Sequence, residues 1–358
     1  MKRSIPLFLC VALCLFLAAC GHPEGTPETS SSPAVSPQPP PASTADSRQE
    51  EPGESDPLEE KAEEPAETES GPPVVYMTTD ISPEGLMAVY EALGRQASGN
   101  TAVKISTGEP GSHYLDADLI KDLVQSVDGT IVECNTAYGG SRASTAYHLQ
   151  LAADHGYTAI ADVDIMDADG SVSLPVEGGI RLSENLVGAS YPNYDFFIIL
   201  SHFKGHRMGG FGGAVKNMSV GVASSSGKCL IHSAGVSTTE RLLNTTPQDD
   251  FLEAMAESAK SVADEKGENI LYINVMVELS VDCDCIAYGA PPSMEDIGIL
   301  ASLDPVALDQ ACVDLIYAAD DGADLIERME SRHAIHALEH AEAIGFGSRE
   351  YELVSIDA

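Results

Sequence analysis

The stretch Ser201–His232 reads SHFKGHRMGGFGGAVKNMSVGVASSSGKCLIH, with three histidines, four basic residues, seven glycines and no acid. It lies within 44 residues free of carboxylates, between Asp195 and Glu240. Imidazole carries protons near neutral pH and ligates metals. Lysine and arginine neutralise anions, and glycine lets backbone amides approach a ligand closely. His206 and Lys216 are candidate catalytic groups and His232 a candidate metal ligand. Lys216, with Gly210, Gly212, Gly213 and Asn217 around it, would form a cofactor- or anion-binding cradle. The glycines match neither the dinucleotide fingerprint nor a Walker loop. The cradle therefore points to a small anionic ligand and not to a particular nucleotide.

Three other groups could do chemistry. Thr136 and Arg142 follow an apolar run and precede a helical pattern, so both could meet the same ligand, although Ser141 also suits an ordinary N-cap. In VDCDC, an extended chain would set Asp282 and Asp284 on one side and Cys283 and Cys285 on the other. The thiols would suit a soft metal and the acids a hard one. A structural use, with a thiol buried and the acids capping a turn, is equally open. DVDIMDADG fails the calcium-loop pattern when its glycine is aligned, because Ile165 and Val176 fall on ligand positions. Asp304 before Pro305 reads as a helix cap, and Asp309 and Asp314 as acids on a helix face that could reach the site.

These groups need elements to hold them. Strand patterns cover Val74–Thr79, Thr101–Thr107, Thr130–Asn135, Asp195–Leu200, Asn269–Val277 and Ile297–Ala301. Helical patterns cover Ser82–Gln96, Leu115–Val127, Ser141–Gly156, Pro247–Lys266, Pro305–Ala318 and Gly322–Ala343. Runs such as FFIIL and LYINVMV are apolar throughout, as in strands covered on both faces. The expected fold is α/β: a mostly parallel, Rossmann-like sheet flanked by helices, with length enough for two intimate lobes. Ligands of such sheets bind beyond the carboxyl ends of the strands, where the histidine-rich stretch begins.

The chain opens with Lys2, Arg3 and an apolar run that ends at Leu17-Ala18-Ala19-Cys20. That pattern describes a secretory signal over residues 1–19 and resembles the lipobox of bacterial lipoproteins. The resemblance implies cleavage before Cys20 and its lipidation, hence an anchor in the cell membrane facing outside the cytoplasm. Residues 21–73 hold twelve prolines, thirteen acids and no aromatic residue, the composition of a disordered tether. From Val74 onward, 43 acids face 15 bases, which argues against nucleic acid as a partner. Beyond Cys20, the thiols Cys134, Cys229, Cys283, Cys285 and Cys312 are odd in number and irregularly spaced, so they outline no disulfide framework.

Three blocks in order, NTAYGGSRASTAYHL, LSHFKGHRMGGFGGAVKNMSVGVASSSGK…HS and DCDC…PPSMEDIGILASLDPVALDQACVDL, closely resemble the domain of unknown function 362 family. The likeness spans about Thr101 to Ile316. Many members of that family carry two ferredoxin modules after the His-Ser block. Here His232-Ser233 runs through a short loop to the helix at Pro247, so no iron–sulfur cluster is expected. His206, Lys216 and His232, ten and then sixteen residues apart, also resemble the His…Lys…His arrangement of the nickel-pincer lactate racemase family. That resemblance implies a cofactor held on Lys216, a metal on His232 and acid–base work by His206. The Thr-Arg-Pro nucleotide-binding segment of that family has no counterpart here. The cofactor and metal stay unspecified. Three readings compete: an enzyme of redox or proton-transfer type, a solute-binding or sensing lipoprotein, or a family member without the iron–sulfur module that keeps only a structural role.

Overall fold

A computed structural model describes residues 71–357. The signal segment, Cys20 and all but the last three residues of the tether lie outside the described residues. Among the described residues there are twelve strands: β1 Val74–Thr78, β2 Thr101–Lys104, β3 Thr130–Glu133, β4 Val163–Ile165, β5 Ser171–Pro175, β6 Glu184–Gly188, β7 Phe196–His202, β8 Lys204–His206, β9 Gly210–Gly212, β10 Ile270–Met276, β11 Gly298–Ser302 and β12 Glu352–Ser355. The helices are α1 Pro83–Ala92, α2 Ala117–Ser126, α3 Thr145–Asp154, α4 Ala214–Ser219, α5 Ser225–His232, α6 Gln248–Lys266, α7 Pro305–Ala318, α8 Ala323–Glu330 and α9 His336–Ala343.

Eight strands form one sheet in the order β12-β1-β11-β10-β7-β2-β3-β4. Only β11 is reversed, pairing antiparallel with β1 and β10. The central strands β7 and β10 are buried at every position because helices cover both faces. Alternate side chains then feed opposite layers. Phe196, Ile198 and Leu200 of β7 join Leu86, Val89, Ile120 and Leu123 of α1 and α2. Phe197 and Ile199 join Val215, Ala256 and Leu308, from α4, α6 and α7. All described residues fall in one compact unit, in place of the two lobes that the length allowed.

Local chemistry sets several helix starts. Ser82 Oγ accepts from Gly85 N, with Pro83 at the first helical position. Asp304 caps α7 by accepting from Val306 N and Ala307 N, again followed by proline. Two helical patterns are interrupted. Gly322–Ala343 divides into α8 and α9 around His333, whose φ is +52°. Ser141–Gly156 begins with a 3-10 turn, and α3 starts only at Thr145, so Ser141 is not its N-cap. Among the described residues, no helix is long and apolar enough to cross a membrane.

Candidate active site

The carboxyl ends of β2, β3 and β7 lie side by side, and the chain leaving β7 folds back as the β8–β9 hairpin and α4. Together they enclose a cavity of about 370 Å³. Thr136, Arg142, His206, Gly212, Gly213, Lys216, Asn217, His232, Cys283 and Cys285 all line it. Gly210 does not. It turns the hairpin with φ +80°, and a Cβ there would collide with Ala334, so its role is steric. Gly213 is also a packing glycine, because a Cβ would strike the Asp309 carboxylate.

Asp309 overturns the backbone-cradle expectation. Its oxygens accept from Ala214 N at 2.8 Å and Val215 N at 3.0 Å, so a side chain of α7 occupies the α4 N-terminus. Asn274 Nδ2 donates to the same carboxylate at 2.7 Å. Burial pushes this acid up to about 6 against those three donors. Asn217 is likewise spent on architecture. Its Nδ2 donates to Lys104 O, Leu200 O and Ser201 Oγ, tying together the ends of β2 and β7.

On the β2–β3 side the charges are mutually satisfied. Lys104 Nζ lies 3.0 Å from Glu133 Oε2 and donates to Asn217 Oδ1. Arg142 contacts Glu133 Oε1 and Glu109 Oε1, each at 3.1 Å, with Tyr138 Oη a further partner. Burial opposes charge on Glu133, but the two cations prevail and hold it well below the usual carboxylate range. Arg142 is therefore a wall element whose donors are committed within the protein. Thr136 Oγ1 donates to Tyr138 O. Sequence reading missed Lys104 and Glu133, whose signal was a charge at the end of otherwise apolar TAVK and TIVE. It also missed Glu109 and His148. Cys134 lines the cavity too, but burial lifts its thiol to about 12, so it is no nucleophile.

The opposite wall is unsaturated. His206 Nδ1 accepts from Gly209 N at 2.8 Å and Met208 N at 3.3 Å, which leaves Nε2 to carry the ring proton. Burial and nearby Lys216 depress its protonation further. His206 is therefore a neutral hydrogen-bond donor. The general-base role is revised, because amides already use its lone pair. His232 has the opposite tautomer: Nδ1 donates to Lys228 O at 2.6 Å, and Nε2 keeps a free lone pair. Burial draws it down to about 4, and its ring stacks on Phe251. Between them stands Lys216, whose ammonium makes no hydrogen bond or ion pair among the described residues. Burial and then Lys104 draw it down to about 8.

VDCDC is not extended. It forms a turn that sends Asp282 out to Arg207 and Arg328 and Asp284 inward. Asp284 meets Lys204 at 3.2 Å and His202 at 3.3 Å, so the two acids do not share a side. Cys283 and Cys285 are joined in a disulfide, so in this state they offer no thiolates to a metal. Six cationic side chains line the cavity: Lys104, Arg142, Arg207, Lys216, Lys228 and Arg241. Only two carboxylates do so, Glu133 and Asp284, both already paired.

The family model described as domain of unknown function (DUF362) matches residues 101–314. The chain belongs to this family. The match contains nearly every residue of both walls, from Lys104 through Asp309. No curated protein matches the chain. Among solved structures, the lactate racemase apoprotein from Thermoanaerobacterium thermosaccharolyticum is 15% identical, covering 57% of this chain and 50% of its own, with a TM-score of 0.35. A Thermotoga maritima protein is 13% identical, covering 73% and 58%, with a TM-score of 0.37. The chain thus spans about half the length of the racemase.

Proposed function

We propose that this DUF362 protein is a lipid-anchored, extracytoplasmic enzyme. Its cavity binds a small anionic substrate or cofactor for redox or proton-transfer chemistry. One observation carries the reading: among the described residues, the half-buried Lys216 ammonium has no ion-pair partner, in a cavity where cations outnumber acids. A partly desolvated charge without a counter-ion is costly, and a bound anion would remove that cost. Near pH 8 the amine also exists partly unprotonated, which suits a proton carrier. With Cys283 and Cys285 oxidised, His206 would direct Nε2–H at the ligand, and His232 would offer it a lone pair.

The residues fit a metal as well. His232 has its Nδ1–H anchored on a backbone carbonyl, the orientation that imidazole ligands commonly take. A metal held there would supply a Lewis acid. The protein's own part would be to place Lys216 and His206 beside it and to keep the wall rigid through Glu133. The membrane anchor rests on the Leu17–Cys20 pattern, and its test is loss of membrane fractionation in Cys20→Ala.

The decisive measurement is mass spectrometry of the protein purified from its native host, for metals and bound small molecules. The expected result is an anionic ligand or metal that is lost in Lys216→Ala and His232→Ala. A metal-free protein that holds a neutral solute equally well in both variants would be a solute-binding lipoprotein and would sink the proposal.

A further inference from the structure

We propose that Cys283 and Cys285 are a redox-active dithiol–disulfide pair, with His206 Nε2–H as hydrogen-bond donor to the sulfur that leaves as thiolate. This activity goes beyond the anion-binding reading and does not require a ligand on Lys216.

Four observations carry it. First, the disulfide joins residues only two positions apart. A structural cross-link stabilises chiefly by closing a long loop, and this one encloses a single residue. That residue, Asp284, is already held by Lys204 and His202. Structure alone does not need the bond. Second, the loop is clamped independently of it. Asp284 O accepts from Glu109 N, and Cys285 O accepts from Tyr138 Oη. The sulfurs would stay near each other after reduction. Third, both cysteines are half-buried on the cavity wall, so a small thiol can reach them.

Fourth, a ring nitrogen of His206 and the two sulfurs lie within 4.8 Å of one another. Because Met208 N and Gly209 N donate to Nδ1, the nitrogen left for sulfur is the protonated Nε2. A protonated nitrogen stabilises a thiolate and cannot ligate a metal. Ligation through Nε2 would move the proton to Nδ1, against two amide donors. The same three side chains that could form a soft-metal site are thus biased towards thiol chemistry. Lys216 and Arg207, on the same cavity, favour the thiolate further.

The reaction partner is a small thiol, RSH. Its thiolate attacks one sulfur; the RS–S bond forms, the Cys–Cys bond breaks, and the electron pair leaves on the other cysteine. A second RS⁻ attacks the sulfur of R in the mixed disulfide and releases the remaining cysteine as thiolate. Two protons from the two RSH end on the cysteines. The products are RSSR and the dithiol, a two-electron exchange that runs in either direction.

The test uses the purified full-length chain, equilibrated in graded mixtures of reduced and oxidised glutathione, alkylated with a maleimide and weighed. Wild type should convert between two forms that differ by two labels, both lost in Cys283→Ser/Cys285→Ser. Removing the Nε2–H donor should shift the equilibrium about tenfold towards disulfide, about 30 mV for a two-electron couple. His206→Asn keeps the acceptor for the amides but loses that donor, whereas His206→Gln can restore it. The pH profile of alkylation should move upward in the Asn variant and return in the Gln variant. A pair that is fully reduced in air, or that no dithiol reduces, overturns the proposal. So do equal midpoints in wild type and both His206 variants. Stoichiometric zinc uptake by the reduced chain, abolished by Cys283→Ser, would make this a metal site instead. If anion binding through Lys216 persists in any of these cases, the cavity reading stands and only the redox reading falls.

Discussion

Two walls of one cavity carry cations and treat them oppositely. On the β2–β3 side, Lys104 and Arg142 share Glu133, Glu109 adds a second carboxylate, and every charge has a partner within 3.1 Å. On the side of α4 and α5, Lys216 has no partner among the described residues, and the two histidines present a bare donor and a bare acceptor. Lys104 and Arg142 are buried and Lys216 is half-buried, a difference of degree that does not by itself mark a site. Partnering does. A saturated buried network holds a shape, whereas an unsaturated one is waiting for a ligand.

The contrast is broken most severely at Glu133. Glu133→Gln leaves Lys104 and Arg142 enclosed without their shared counter-charge, and unfolding in urea should show a loss of about 3–5 kcal/mol. A loss below about 1 kcal/mol would mean that the β2–β3 wall is no more structural than its neighbour. Lys216→Met should do the reverse. Stability should hold or rise slightly, because an uncompensated charge is removed, while affinity for the anion falls at least about tenfold, equivalent to about 1.4 kcal/mol.

The pH dependence sharpens the same point. Lys216 in the folded protein sits near 8, against 10.5 as its ordinary value. Between those two pH values the unfolded chain binds the extra proton, so the Lys216 contribution makes stability rise with pH. Anion binding should do the opposite and weaken as pH rises through about 8. Lys216→Arg, which does not titrate there, should flatten that decline in a titration calorimetry series. An unchanged profile would remove Lys216 from the ligand.

The smallest effect belongs to the protein surface, where α6 faces the segment joining α8 and α9. His333 Nδ1 lies 2.7 Å from Asp249 Oδ1, with both side chains about half exposed. Its hydrogen bond to Asp249 raises the histidine above its ordinary value. The contribution is therefore present at low pH and lost as pH rises through the folded value. Solvent screening limits it to below about 1 kcal/mol, so His333→Ala should lower the urea midpoint only slightly, and only in acid. A large effect would show that this exposed pair resembles the buried network.

Much of the fold is legible in the amino-acid sequence. Continuously apolar FFIIL and LYINVMV announce strands covered on both faces, and these are β7 and β10. Ser82-Pro83 and Asp304-Pro305 mark two helix starts because capping is local. The short strands β4, β5, β6, β8, β9 and β12 give no comparable signal; a strand so short is made by its neighbours, not by its own pattern. The reversed β11 is invisible for a similar reason, since direction is a property of pairing.

For the site, residue types and spacing are enough to single out His206, Lys216 and His232, because charge and imidazole chemistry belong to side chains wherever they lie. Function of the glycines is not readable: Gly210 and Gly213 make room for Ala334 and Asp309, partners more than 90 residues away in sequence. Nor can sequence tell the two histidines apart. Their tautomers follow from which backbone group happens to face Nδ1, two amides in one case and a carbonyl in the other. Sequence alone determined which chemistry is present. Tertiary structure decided which groups are already paired, because a partner is a neighbour in space, and that separates the wall from the site.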